Sequence, residues 1–293
     1  GVQMIRGDMA MTSIGTVTWI EGDSVIAFGH PFMGIGAVDM PMTRTTIHGV
    51  LPSHYSSFVL GSATESIGAL RQDRASGVAG ILGAEARMLP VVVAVESAES
   101  TRILQTEVLH HSLLSSSLAQ IVVFSALESQ QRLLGVASLE VKLNVLLTDG
   151  RRMAWNQVFS GLHAPLLAAR SVGGPLASLV WSGLEDIQLE HVRVDISIRD
   201  QMHVAEIGAV RHEPQHPRPG ESISLQVELD PFQGPAQQLT IDLTLPESAE
   251  GLPIRLLIGN GSSALAWAQE RQSDMPVRDS DELLVRLQRQ RRD

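Results

Sequence analysis

The segment from Ile14 to Phe28 sets the strongest limit on what this chain can fold into. From Ile14 to Ile20, apolar and β-branched residues alternate with threonine, which is the period-two pattern of a strand with one buried face. Glu21-Gly22-Asp23 has the composition of a tight turn, and Val25 to Phe28 is suited to the return strand. The segment therefore predicts a β-hairpin, and His30 follows directly after its second strand.

Strand patterns recur through residues 1–165. Val91 to Val95 is a short apolar run typical of a buried strand, and Ala137 to Leu147 alternates before an Asp149-Gly150 hairpin turn. Residues 111–134 alone combine the length and apolar spacing of a long helix, with Gly135 as its stop signal. We therefore expect a mainly β region with one long helix.

The second half of the chain predicts three further parts. Residues 166–200 form a connecting segment, in which a short helix ends at Gly173-Gly174 and a strand runs from Val192 to Ile198. Residues 201–265 carry short strands between Pro- and Gly-containing turns, which predicts an immunoglobulin-like β-sandwich. Those strands are Ile223 to Leu229, Leu239 to Leu245 and Ile254 to Ile258. Residues 266–293 form a tail with an amphipathic helix from Asp279.

Composition excludes several classes of function. The 22 Lys and Arg against 32 Asp and Glu give a net charge of −10, which argues against a nucleic-acid surface because phosphate binding requires a positive one. We expect no transmembrane segment, since no apolar run reaches the length that a membrane helix needs. The absence of cysteine excludes disulfides, thiolate nucleophiles and cysteine-ligated metals.

His30 is the residue best placed for catalysis. A neutral imidazole can take a proton from a hydroxyl nucleophile when a carboxylate orients the ring. Asp39 lies close enough in sequence to fold back across the glycine-rich loop after His30, so these two residues form the candidate catalytic pair. The candidate nucleophiles are weaker, because none sits in a glycine-flanked sharp turn. They are Ser56, Ser57, Ser62 and Ser76.

No metal or cofactor is expected. The histidines near Asp39 lack the tight ligand spacing of a metal site on a regular element. They are His30, His48 and His54. His212 and His216 are separated by Pro214, which forbids the helix that would align them. The glycines from Gly77 to Gly83 predict close packing in β structure, because an apolar strand follows where a phosphate loop needs a helix.

One family resemblance rests on the hairpin. The run from Ile14 through Ala27-Phe28-Gly29-His30-Pro31, with Asp39 following, resembles the histidine-bearing segment of SpoIVB-type serine peptidases, the family of the sporulation stage IV B peptidase. The runs that begin at Ser66 and Ser76 are similar to the segments that follow in that family. The resemblance covers roughly residues 1–100. It implies a trypsin-like β-barrel, a peptide or protein substrate, and His30 as the catalytic base.

The sequence departs from that family at the nucleophile. The family motif Gly-Met-Ser-Gly-Ser-Pro is absent from these 293 residues, and the orienting aspartate near that motif has no matched position. Relatives can carry the serine motif before the histidine hairpin, and this chain begins at Gly1. We therefore expect the serine to lie in a missing N-terminal segment, and the chain alone to be inactive.

Two functions remain open from the sequence. The first is the histidine-bearing portion of a bacterial serine peptidase that is exported to the periplasm or secreted, as the resemblance and the absence of cysteine suggest. The second is a non-enzymatic module of the cell envelope that acts as a scaffold or binds protein or glycan.

Overall fold

The computed structural model describes residues 1–55, 57–129, 137–202, 204–249, 254–261, 263, 266–267 and 277–289. Strands predominate, so the expected mainly β class is confirmed. Within these residues, twelve strands form one large sheet and three strands form a second, smaller sheet.

The large sheet contains all the strands before residue 200. These are β1 (Val2–Gly7), β2 (Met11–Ser13), β3 (Val17–Glu21), β4 (Ser24–Ala27), β5 (Gly36–Leu51), β6 (Phe58–Arg74), β7 (Gly77–Leu82), β8 (Met88–Glu96), β9 (Thr101–Leu109), β10 (Ser138–Leu147), β11 (Arg152–Ser160) and β12 (Leu189–Arg199). Their order is β11-β10-β12-β8-β9-β1-β5-β6-β7-β4-β3, and β2 pairs with β1. The pairs are antiparallel except β12 with β8, which is parallel. The sheet as described is open, with β11 and β3 at its two edges.

The predicted hairpin is confirmed as β3 and β4. Glu21 pairs with Ser24 and Ile20 with Val25, and Gly22 adopts a φ of +55° in the turn between them. Val25 is buried, whereas the side chains of β3 are exposed, because β3 lies at the sheet edge. The strand β4 then pairs with β7, which places the loop that carries His30 at the junction between this hairpin and β5.

Two helices pack on one face of the large sheet. Helix α1 (Ser115–Glu128) contacts β8 and β9, and α2 (Ala164–Val180) contacts α1, β10 and β11. The helix predicted over residues 111–134 begins at Ser115, which is later than expected. Its predicted end cannot be compared, because residues 130–136 lie outside the described part. Its buried face includes Leu118, Val122 and the small residues Ala119 and Ala126, whereas Ile121 is exposed. Small side chains on a buried helix face allow neighbouring elements to approach closely.

The prediction that Gly173-Gly174 ends the second helix is wrong. Helix α2 continues through both glycines and through Pro175 to Val180. A Cβ at Gly173 would lie 2.7 Å from Oε1 of Gln120 on α1, so a larger residue there would displace the end of that side chain. Leu176 and Leu179 lie beyond the glycines and are fully buried, and this burial outweighs the weak helix propensity.

The smaller sheet contains β13 (Ala205–Glu213), β14 (Ser222–Pro231) and β15 (Gln237–Thr244), with β14 in the centre. The strands β14 and β15 correspond to two predicted strands, whereas β13 was not predicted. The strand predicted from Ile254 to Ile258 is wrong, because residues 254–260 have no regular structure. Leu256 and Leu257 are exposed there, so the segment lacks the one-sided burial that stabilises a strand.

Helix α3 (Ser280–Arg289) confirms the amphipathic helix predicted in the tail, and residues 290–293 lie outside the described part. The helix packs on β11 and buries Leu283, Leu284 and Leu287 in the core of the large sheet. Among the described residues, no helix combines the length and the apolar character needed to cross a membrane.

Candidate functional site

The loop that carries His30 begins with an unusual backbone conformation. Phe28 has a φ of +78° and Gly29 a φ of +70°, so the chain turns sharply out of β4. The left-handed conformation is costly for a phenylalanine, by about 1 kcal/mol or more. The Phe28 N–H donates to the carbonyl of Thr16 at 2.8 Å. The Phe28 ring fills the space above Gly15, where a Cβ would lie 2.0 Å from its Cε1 atom.

His30 lies in a small aromatic cluster on the surface. The centroids of the Phe28 and His30 rings are 5.7 Å apart with a tilt of 36°, and those of Phe28 and Phe32 are 6.0 Å apart in an edge-on arrangement. The His30 side chain is exposed, so a substrate or a further side chain can reach it. The strained Phe28 backbone is what brings these three rings together.

A hydrogen bond defines the tautomer of His30. Its Nδ1 lies 2.8 Å from the carbonyl oxygen of Pro31. A carbonyl oxygen can only accept a hydrogen bond, so Nδ1 carries the proton when the ring is neutral. The lone pair is then on Nε2, which is the nitrogen that acts as base in a serine peptidase. Among the described residues, the ring is thus oriented by a backbone carbonyl rather than by a carboxylate.

Asp73, at the end of β6, holds the loop after His30 in place. Its Oδ1 accepts from the N–H of Phe32 at 2.8 Å, and its Oδ2 accepts from the N–H groups of Met33 at 2.7 Å, Gly34 at 2.8 Å and Ile35 at 3.5 Å. Its side chain is buried. Burial by itself raises the Asp73 pKa, but the backbone hydrogen bonds outweigh it and lower the pKa below the usual value for aspartate.

Asp39, the predicted partner of His30, binds two arginines. Its Oδ1 accepts from the Arg71 guanidinium in a close ion pair, and its Oδ2 accepts from the backbone N–H of Arg87 at 2.9 Å. Arg71 also donates to the carbonyl of Glu85 at 3.0 Å. In the described part of the chain, Asp39 makes no hydrogen bond to His30. The carboxylate therefore connects β5 to β6 and to the start of β8.

The candidate serines that the structure describes have other surroundings and do not hydrogen-bond the His30 ring. Ser57 bonds within the turn around Ser53, Ser76 is exposed between β6 and β7, and Ser56 lies outside the described residues. Ser62 Oγ lies 2.9 Å from Nε2 of His48, on the exposed hairpin formed by β5 and β6. This is a serine–histidine contact, yet no carboxylate hydrogen-bonds His48 among the described residues. None of the described serines hydrogen-bonds His30.

The histidines considered as metal ligands do not converge where the structure describes them. No group of three or more His, Asp or Glu residues there has the geometry to hold a metal ion. His48 contacts Ser62, and the Nδ1 of His212 lies 3.1 Å from the carbonyl oxygen of Pro214. Of the glycines predicted to pack closely, Gly77 and Gly80 lie in β7, where a Cβ at Gly80 would come within 2.8 Å of the Ala69 carbonyl oxygen. The prediction is wrong for Gly83, which follows β7 and where an added Cβ would meet nothing within 4 Å.

The site thus contains one histidine of defined tautomer and one buried aspartate that fixes its loop. Sequence reasoning selected His30 but not Asp73, because Asp73 approaches the loop after His30 only through the pairing of β5 with β6. Comparisons of the chain with protein-family models, with curated proteins and with solved structures found no match.

Proposed function

We propose that this chain is the histidine-bearing portion of an exported bacterial serine peptidase of the SpoIVB type. The observation that supports it best is the Nδ1 contact of His30 with the Pro31 carbonyl, which leaves an exposed, basic Nε2. The proposal relates the two β regions to a trypsin-like barrel and an immunoglobulin-like sandwich, of which the described residues form an open sheet and one three-stranded sheet. It places the serine nucleophile on polypeptide outside these 293 residues.

In the proposed reaction, Nε2 of His30 takes the hydroxyl proton as the serine oxygen attacks a peptide carbonyl. The Nδ1–H of the imidazolium continues to donate its hydrogen bond to the Pro31 carbonyl. A neutral carbonyl stabilises the positive charge less than a carboxylate would. The proton on Nε2 then passes to the leaving amine. Asp73 contributes by positioning, since it fixes the loop that starts at His30 without touching the ring.

The test is active-site labelling of the complete gene product with a fluorophosphonate, which reacts only with an activated serine. We expect labelling of the unmodified protein and its loss in His30→Ala, because the serine then lacks its base. His54→Ala is the matched control, since His54 is an exposed histidine in the turn between β5 and β6. Absence of labelling, or equal labelling of both variants, would contradict the proposal. A complete coding sequence without a glycine-flanked serine would do the same.

A second candidate is a non-enzymatic module of the cell envelope that binds another protein. It is favoured by large apolar side chains exposed near the tip of the hairpin formed by β5 and β6. These include Val50, Leu51, Tyr55, Phe58 and Leu60. Labelling by the fluorophosphonate that depends on His30 would argue against this candidate, because a pure binding module needs no activated serine.

A further inference from the structure

Strand β3 is an exposed sheet edge that carries apolar side chains. In the described part of the chain it pairs with β4 alone, so alternate backbone N–H and C=O groups point to the open side. Val17, Trp19 and Ile20 are 52%, 45% and 55% exposed. Natural sheet edges are usually protected by proline, lysine or a covering segment. No such protection is seen along Val17–Glu21.

A cavity of about 80 Å³ opens beside this edge. Val17 and Ile20 line it and are also half-exposed, so the cavity reaches the surface along β3. Its wall is otherwise mainly apolar and includes Ala27, Phe28, Met42 and Leu70. This volume exceeds the ~10–15 Å³ that one water needs, and it suits an aliphatic side chain better than water because few polar groups line it.

Thr43 is the polar residue within this cavity that lacks a partner. Its side chain is buried, and its Oγ1 atom has no hydrogen-bond partner among the described residues. A buried hydroxyl without a partner is costly, by about 1–3 kcal/mol.

The end of β3 at the turn carries acidic side chains. Glu21 and Asp23 are exposed at the turn, and neither carboxylate has a hydrogen-bond or ion-pair partner in the part of the chain that the structure describes. The chain as a whole carries a net charge of −10. A partner at this end is therefore expected to be basic, whereas a second acidic copy of the chain would be repelled.

We propose that the edge of β3 binds an extended peptide as an added strand, with an aliphatic side chain in the cavity and an adjacent Lys or Arg beside Glu21. Side chains alternate along a strand, so Ile20 and Glu21 point to opposite faces. The peptide residue paired with Ile20 then faces the cavity, and its neighbour toward the turn faces Glu21. Main-chain hydrogen bonds provide the affinity and the two side chains provide the selectivity.

This inference goes beyond the proposed peptidase, because the binding requires neither His30 nor a nucleophile. Phe28 lines the cavity and also contacts the His30 ring, so a peptide on β3 would run close to the candidate base.

The probe is a fluorescein-labelled peptide about nine residues long, enough to span one strand, with a central Leu-Arg pair among Ser and Thr. A second peptide has the order Arg-Leu, because an added strand can run in either direction. We expect saturable binding of one of them by fluorescence anisotropy, and its loss when Asp replaces Leu in the peptide. Binding is measured on this chain alone, in which the peptidase proposal expects no activity, so the two proposals are tested separately.

Protein variants locate the site. We expect Ile20→Glu to weaken binding about tenfold or more, because it places a charge at the apolar mouth of the cavity. The matched control Ile103→Glu alters a residue of β9 that is 52% exposed, and it should bind as the unmodified chain does. The double variant Glu21→Lys with Asp23→Lys should favour a Leu-Glu peptide over Leu-Arg, which keeps the test valid if Ile20→Glu misfolds.

Three results would overturn the proposal. The first is absence of saturable binding for both peptides, and the second is equal binding by Ile20→Glu and Ile103→Glu. The third is a dimer that Ile20→Glu disperses without any binding of peptide, which would identify a second copy of the chain as the occupant of the edge.

Discussion

Asp73 determines where the loop after His30 lies. The backbone N–H groups of four successive residues, 32–35, converge on its two oxygens. A charged acceptor is suited to this role, because hydrogen bonds to ionised groups are stronger than those between neutral groups. Pro31, whose carbonyl orients the imidazole, directly precedes these residues. The position of the candidate base therefore depends on a side chain that never contacts it.

We expect Asp73→Asn to lower the free energy of unfolding by about 2 kcal/mol. An amide offers one acceptor oxygen, and its NH₂ group cannot accept, so some of the loop N–H donors lose their partner. Urea unfolding monitored by tryptophan fluorescence measures the change. Asp242→Asn, at an exposed position in β15, is the control and should change stability by less than about 0.5 kcal/mol. Equal stability of the two variants would show that the loop does not depend on the carboxylate.

His30, Asp39 and Asp73 show what sequence reasoning can and cannot predict about this site. His30 was selected because a hairpin pattern is local and its end is visible in the sequence. Asp39 was selected for its nearness in sequence, but β5 is extended there and its side chain meets Arg71 of the neighbouring strand. Asp73 lies far along the chain, and it reaches the loop because Gly36 pairs with Asp73 in the sheet. Nothing local in the sequence indicates that pairing.

At the scale of elements, a charged cluster holds α3 against the large sheet. Arg151, just before β11, donates to Asp281 at 2.7 Å, to Asp186 at 2.9 Å and to Asp149 at 2.7 Å. Ser280, the first residue of α3, also donates to the Asp186 carboxylate. The three carboxylates raise the pKa of Arg151, which stays charged at all accessible pH values. The cluster therefore joins the start of α3 to two segments of the sheet region.

We expect Arg151→Gln to release α3 while the sheet stays folded. The neutral amide cannot pair with three carboxylates, whose mutual repulsion then favours separation. In hydrogen-exchange measurements, the backbone amides of Ser280–Arg289 should exchange faster in the variant than in the unmodified chain. The amides of β10 should exchange at the same rate in both. The matched control is Arg193→Gln, because Arg193 pairs only with Asp195 of its own strand among the described residues. Unchanged protection of α3 in Arg151→Gln would mean that its three buried leucines hold it without the cluster.

Elements were predictable where their own sequence decides their structure. The hairpin of β3 and β4, the strand β10 and the amphipathic α3 all have clear periodicity, and all are present. The errors lie where tertiary packing overrides local preference. Helix α2 continues through two glycines and a proline because its far end is buried against the sheet. Strand β5 contains Pro41, which is buried and paired with Ala69, although proline usually argues against a strand interior.

At the scale of the whole molecule, the arrangement of the sheet depends on pairings between distant segments. The parallel pairing of β12 with β8 joins Val192 to Val91, and it brings a strand predicted within a connecting segment into the centre of the sheet. Both strands have alternating or apolar patterns that fit many partners. Pattern alone identifies the strands, but the choice of neighbour depends on contacts between segments distant in sequence, which the sequence does not encode locally.

His110 lies where four of these distant segments meet. It directly follows β9, and its imidazole interacts with Leu189 at the start of β12, with Arg87 before β8 and with Asp39 of β5. Its Nε2 atom is buried and lacks a hydrogen-bond partner among the described residues. Burial chiefly lowers the His110 pKa, and the Arg87 charge lowers it further, while the backbone contacts and Asp39 offset this only in part. The ring is therefore neutral at pH 7.

We expect the folded protein to lose stability as the pH falls from about 7 toward 5. The unfolded state binds a proton at the ordinary histidine pKa, whereas the folded state resists protonation of His110, so acid favours unfolding. The slope from one such residue is at most about 1.4 kcal/mol per pH unit. Urea midpoints measured across this range should decline less steeply in His110→Gln than in the unmodified chain. Some slope should remain, because burial also lowers the pKa of His111.

The control for this measurement is His54→Gln, which alters an exposed histidine and should leave the slope unchanged. If His110→Gln and the unmodified chain decline in parallel, protonation of His110 does not couple to folding. A steeper decline in the variant would reverse the sign of the argument, since His110 would then bind its proton more tightly in the folded state. The contact between β5, β8, β9 and β12 would in that case be stabilised by an imidazolium paired with Asp39.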